Sequence, residues 1–135
     1  MIDLDTIEHE LIKLQNKAIK KNEVPVSAVI VYRDKIISKR YNTTERKNNF
    51  MNHAEILVIK DAMKKLKNWR LDECTLYVSL EPCDMCKEII KKSRIKNIYY
   101  FSNQNEYKTE SEPLYKYIEN KTMSEKMSDF FKTKR

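Results

Sequence analysis

Thr75-Leu76-Tyr77-Val78-Ser79-Leu80-Glu81-Pro82-Cys83-Asp84-Met85-Cys86 is the stretch whose reading decides the fold. Its first half, Thr75 to Leu80, predicts a strand, because branched and aromatic side chains suit a pleated, half-buried surface. Its second half opens a helix over Cys83 to Lys92. Pro82 sits at the first turn of that helix, where its missing N–H costs nothing. Ile98 to Phe101 reads as a further strand. Strand, helix and strand at this spacing form a crossover unit, which pairs strands in parallel under a helical layer.

Upstream, His53 to Leu66 carries Ile56, Leu57, Ile59, Ala62, Met63 and Leu66 at helical spacing and predicts a second helix. Val26 to Tyr32 and Lys35 to Tyr41 are strands, and Arg33-Asp34 between them suits a tight hairpin. Residues 3–21 form an amphipathic helix through Ile7, Leu11, Leu14, Ala18 and Ile19, and Asn22-Glu23 ends it. Thr43 to Met51 is polar and carries like charges, which predicts a loop. Residues from about 112 to 134 read as helical, with a polar break near Asn120. The whole is one layered α/β domain over residues 1–135, without repeat or linker.

The bulk numbers narrow the function. Hydrophobic content of 41% with 35% charged residues describes a globular chain. No apolar run approaches the roughly 18–20 residues needed to cross a bilayer, and the first residues lack a secretory leader pattern. Three cysteines need not form a bridge at this size, so a reducing cytoplasm is the expected setting and clustered Cys read as metal ligands or reactive thiols. The net charge of +7 makes a polyanion a candidate partner. Glycine is absent, where average usage would give about nine. That removes Gly-rich phosphate loops and dinucleotide fingerprints. It also leaves left-handed positions to Asn and Asp: Asn22, Asp34, Asn48, Asn49, Asn68, Asn97, Asn103 and Asn105 are the candidates.

Two short stretches carry the chemistry: His53-Ala54-Glu55 and Pro82-Cys83-Asp84-Met85-Cys86. Each begins a predicted helix, where the partial positive charge favours thiolate. Cys83 and Cys86, three residues apart, fall on one helix face and can reach a single ion. With His53 they make a three-ligand His/Cys/Cys set, which leaves a tetrahedral position open, as catalytic zinc sites do. Glu55 lies close to that ion without being needed as a ligand. Water activated by zinc has its pKa drawn toward about 7, so Glu55 can take a proton from it and deliver it elsewhere. A redox Cys pair would leave His53 and Glu55 unused, and a zinc ribbon would need a second Cys pair. Cys74 reads as a small buried residue and His9 as a surface residue.

The two stretches together match the H-x-E…P-C-x-x-C signature of the zinc deaminases. The resemblance extends through Glu23-Val24-Pro25-Val26, Tyr41-Asn42, Asn68-Trp69-Arg70-Leu71, Ser93-Arg94-Ile95 and the tail Ser128-Asp129-Phe130-Phe131-Lys132. Over about two-thirds of its length the chain resembles the bacterial tRNA-specific adenosine deaminases of the cytidine deaminase superfamily. The resemblance implies a three-layer α/β/α fold with a five-stranded mixed sheet, and one zinc per subunit of a homodimer. It implies hydrolytic conversion of the wobble adenosine of a tRNA anticodon stem-loop to inosine. Asn42 would hydrogen-bond the flipped base, with Val24, Pro25, Ala54 and Leu80 lining its pocket. Asn103-Gln104 stand where the family commonly has an Asp that contacts ribose. Phe130, Phe131, Lys132, Lys134 and Arg135 would contact RNA, a pairing of aromatic and cationic groups that suits splayed bases. Departures are Ser27 for a usual Gly, Asn52 for a usual Ala, and Lys87-Glu88-Ile89 where small residues are common. Two alternatives stand beside this: a deaminase of free guanine, free cytosine or a single-stranded DNA base, and a non-catalytic partner subunit.

Overall fold

The computed structural model describes residues 2–103 and 114–133. In chain order the elements are α1 (Leu4–Lys20), β1 (Ser27–Tyr32), β2 (Lys35–Tyr41), α2 (Thr44–Lys47), α3 (Ala54–Leu66), β3 (Cys74–Val78), α4 (Asp84–Ser93), β4 (Asn97–Tyr100), β5 (Leu114–Tyr117) and α5 (Lys121–Thr133). The five strands form one mixed sheet in the order β2-β1-β3-β4-β5. β1 pairs antiparallel with both neighbours, while β3, β4 and β5 run parallel. The crossover unit expected from residues 75–101 is therefore present, with α4 between its two parallel strands.

Strand β1 shows why the domain has three layers. Its side chains alternate between faces: Ala28 and Ile30 join Leu76, Val78, Ile98 and the apolar faces of α3 and α4. Val29 and Val31 join Ile7, Leu11 and Leu14 of α1 on the other side. Both faces are dry, so this strand lacks the polar alternation of a half-exposed one. Helix α5 touches both clusters, through Met123 in the second and Met127 in the first.

Two expectations need correction. Residues 112–120 are not helical over their described part: Leu114–Tyr117 adds a fifth strand, in register with Asn97–Tyr100. The polar break was the informative sign, because the Asn120 side chain accepts the Met123 N–H at 3.0 Å and so starts α5. The stretch 43–51 is not wholly loop either. It contains the single turn α2, whose Glu45 and Arg46 N–H groups donate to the buried Glu23 carboxylate at 3.0 and 2.7 Å.

The absence of glycine has a structural cost. Asn22, Asp34 and Asn48 do take the left-handed conformation, but so do Arg33, Lys67 and Arg94, which had no such expectation. Asn49, Asn68, Asn97 and Asn103 are not among the positive-φ residues, and Asn105 lies outside the described ones. Arg94 closes α4 at φ 72° and Lys67 closes α3 at φ 54°, both positions that usually take Gly. A Cβ there costs on the order of 1 kcal/mol. Arg94→Gly is therefore expected to raise the melting temperature by about 4 °C. Differential scanning calorimetry checks this, and an unchanged or lower value would show that the Arg94 side chain offsets its backbone.

Candidate active site

Three segments converge at the N-terminal ends of α3 and α4. His53 is the residue before α3, with extended backbone, and its carbonyl accepts the Leu57 N–H at 3.0 Å. Its side chain does not cap the helix. Asn42, at the end of β2, does so instead: its Oδ1 accepts the Ala54 N–H at 2.7 Å. Cys83 holds the equivalent place before α4, and Cys86 is buried on the first turn. The crossover topology brings these two helix starts together beside β1 and β3.

His53 Nδ1 stands 3.5 Å from Cys86 Sγ and 3.8 Å from Cys83 Sγ. All three ligand atoms lie within 4.8 Å of one another, and no other such group exists among the described residues. With ligand bonds of about 2.0 Å to nitrogen and 2.3 Å to sulfur, a tetrahedron has N–S edges of roughly 3.6 Å. The spacing fits a zinc-sized ion. Burial holds His53 below its ordinary pKa, so the neutral, ligating form is favoured. Burial also pushes the Cys86 thiol well up, with the Glu55 and Cys83 charges adding to the rise. A cation at this point reverses that penalty, since a coordinating thiol is deprotonated.

Glu55 is 4% exposed, and its Oε1 has no hydrogen-bond partner. Such an orphaned buried oxygen is costly unless a ligand or water completes it. Burial raises its carboxyl from 4.5 to about 7, against smaller opposing hydrogen bonds from its own backbone and Cys86. A carboxyl titrating near neutrality is suited to carrying a proton in both directions.

These groups face a cavity of about 590 Å³. His53, Glu55, Cys83, Asn42, Val24, Leu80 and Asn103 all line it, as do Met127, Ser128 and Phe131 of α5. Pro25 and Ala54 do not line it: Pro25 is buried with its carbonyl accepting from Gln15 Nε2 at 3.0 Å, and Ala54 contributes its backbone to Asn42. Phe130 packs edge-on against Phe131 with centroids 5.5 Å apart, while Phe131 is half exposed and Lys132 is exposed. The apolar anchors of α5 are its two methionines, not its phenylalanines. Gln104, Lys134 and Arg135 lie outside the described residues. Cys74 is buried at the start of β3 and His9 is exposed on α1.

Glu23 was missed as a cavity residue. It is 1% exposed, lines the cavity and fixes α2 through both its oxygens. Nothing near it in sequence shows this, because its partners lie more than twenty positions away. The departures also find local roles. Ser27 donates its hydroxyl to the Leu11 carbonyl at 2.8 Å, and Asn52 Nδ2 donates to Thr43 Oγ1 at 3.2 Å.

A three-ligand cluster with a buried carboxylate beside it, on this mixed sheet, defines a deaminase-type site. The chain belongs to the MafB19-like deaminase family, whose profile matches residues 2–135. More particularly, it is similar to the tRNA-specific adenosine deaminase of Rickettsia bellii, with 46% identity over 100 residues, 73% of this chain and 69% of that one. Four bacterial relatives of that name are covered over 56–69% of their own length. Among solved structures, a tRNA:A34 deaminase that edits A to I at the wobble position aligns with a TM-score of 0.75 and 30% identity, over 82% of this chain and 95% of that one. The guanine deaminase of Bacillus subtilis aligns with a TM-score of 0.72 and 25% identity, over 98% and 94%.

Proposed function

We propose that this protein hydrolytically deaminates adenosine to inosine at the wobble position of a tRNA anticodon loop, with zinc held by His53, Cys83 and Cys86. The observation that carries the reading is Glu55: a buried carboxylate with an unpartnered oxygen, two residues from one ligand and hydrogen-bonded to another. A zinc ion in the cluster supplies Lewis acidity that makes water nucleophilic near neutral pH.

The chain's own residues do the rest. Glu55 takes a proton from the attacking water and passes it to the ring nitrogen next to the reacting carbon. It then takes the second proton, from the hydroxyl now on that carbon, and gives it to the amine, so that the carbonyl forms as the C–N bond breaks and ammonia leaves. Asn42 has committed its Oδ1 to Ala54, so its Nδ2–H₂ is what it offers to an acceptor on the base. Val24 and Leu80 wall the flipped ring apart from water, and Pro25 lies buried with its carbonyl bonded to Gln15 Nε2. Phe131, half exposed at the mouth, provides a face for a neighbouring base, with Phe130 bracing it and Lys132 beside it. Asn103 lines the cavity, and we assign it to a ribose hydroxyl of the target nucleotide.

We further read the chain as a cytoplasmic homodimer. Free Cys83 and Cys86 suit a reducing compartment, and exposed Phe50, Met51 and Trp69 offer apolar surface for a second copy. Among the described residues no helix is long and apolar enough to cross a membrane.

Zinc-loaded protein incubated in parallel with an anticodon stem-loop RNA, its DNA copy, free guanine and free cytosine discriminates the readings. Inosine in the RNA, read by sequencing, with no ammonia from the free bases, is the expected result. Ammonia from free guanine with intact RNA would replace the RNA reading with free-base deamination.

A further inference from the structure

The segment from Tyr41 to His53 is a wall with two differently used sides. Asn42, Thr44, Glu45 and His53 face the active-site cavity. Tyr41, Thr43, Arg46, Lys47 and Asn52 face a second concavity of about 510 Å³, completed by Lys17, Lys39, Arg40 and apolar residues of α1 and α3. That groove is lined by five cationic side chains and no carboxylate among the described residues. Two of the five are already neutralised, Lys39 by Glu10 at 2.9 Å and Arg40 by Asp61 at 2.6 Å. Lys17, Arg46 and Lys47 are exposed and hold no ion pair among the described residues, although Glu10 also attracts Lys17 at longer range.

We propose that this groove is a phosphate track that grips the RNA backbone flanking the target base, through Lys17, Arg46 and Lys47. The assignment rests on the RNA reading above and adds to it a second binding surface, separate from the Phe-Phe tail. Three features favour a nucleic-acid backbone as occupant. An extruded base leaves its own sugar and phosphates outside the pocket, so the strand must cross the rim. Here the rim is the same stretch of chain whose outer side carries the cations. That stretch is also held rigid: Glu23 fixes the Glu45 and Arg46 amides, and the Thr43 N–H donates to the Asn52 carbonyl at 3.0 Å. A backbone fixed in this way keeps the attachment points of Arg46 and Lys47 at the groove, so no loop has to be ordered when a polyanion binds. Finally, a groove with unspent positive charge and no acidic lining complements a repeating anion.

The test is RNA binding against salt. Fluorescence anisotropy would follow a labelled anticodon stem-loop on zinc-loaded Glu55→Gln protein, which prevents turnover during titration. The same protein carrying Lys17→Ala, Arg46→Ala and Lys47→Ala together is then compared. Losing three phosphate contacts is expected to make the slope of log K against log salt shallower by about 2, weakening binding about 10²-fold at 0.1 M salt. Lys60→Ala, Lys64→Ala and Lys65→Ala, on the exposed face of α3, should leave slope and affinity unchanged. Melting curves confirm that both triple variants are folded. Equal slopes in the groove variant and its parent, or equal losses in the two triple variants, overturn the track. RNA bound through the groove of the Glu55→Gln protein, yet never deaminated by the zinc-loaded parent, would keep the track and remove the proposed substrate instead.

Discussion

Glu55→Gln is expected to lower turnover by about 10²–10⁴-fold without loss of metal. The amide fills the same space and retains a hydrogen-bonding oxygen, but it cannot accept a proton from water or return one to the leaving amine. His53, Cys83 and Cys86 stay where the starts of α3 and α4 put them, so zinc content should match the parent protein. KM for RNA should change little, because Asn42, Val24 and Leu80 still form the pocket. Steady-state kinetics with metal analysis separate the possibilities. Metal lost together with activity would mean that Glu55 serves as a ligand rather than a proton carrier.

The same substitution should have the opposite effect on stability when metal is removed. Burial raises the Glu55 carboxyl from 4.5 in the unfolded reference to about 7 in the folded chain. The folded state thus holds this proton more tightly, and the stability that comes with it is complete below about 4.5. It is lost as pH rises through about 7. At pH 8 the buried carboxylate should cost the metal-free parent on the order of 3 kcal/mol. Glu55→Gln carries no such charge, so urea unfolding of metal-free protein should show the variant gaining on the parent as pH goes from 5 to 8. With zinc present the gap should shrink, because a nearby cation stabilises the carboxylate. A gap independent of pH would mean that Glu55 is better solvated than its orphaned Oε1 indicates.

How much of this could be read in advance depends on the distance over which each signal acts. The clustering of His53, Cys83 and Cys86 beside Glu55 was legible because the expected chemistry needs fixed local spacings, two residues and three. Their convergence followed once the strand-helix-strand unit was recognised. β5 was hidden because Leu114-Tyr115-Lys116-Tyr117 is only four residues long, and its pairing with β4 is a tertiary matter. α2 is a single turn held by Glu23 from outside, which no local propensity reveals. The left-handed Lys67 and Arg94 were illegible for another reason: in a chain without glycine, helix ends fall to whichever residue stands there. The pocket residues divide in the same way. Asn42 lies where the resemblance put it, whereas the Met127, Ser128 and Phe131 wall needed the helix to be docked first.

The central claim is that an ion on His53, Cys83 and Cys86 creates the activity and Glu55 uses it. Titrating zinc into metal-stripped parent and Glu55→Gln protein, with inosine in anticodon stem-loop RNA measured against zinc bound, tests this directly. Both proteins should take up one zinc per chain, and inosine formation should rise with occupancy in the parent alone. Inosine formed by the stripped protein, or equally by the loaded variant, would contradict it.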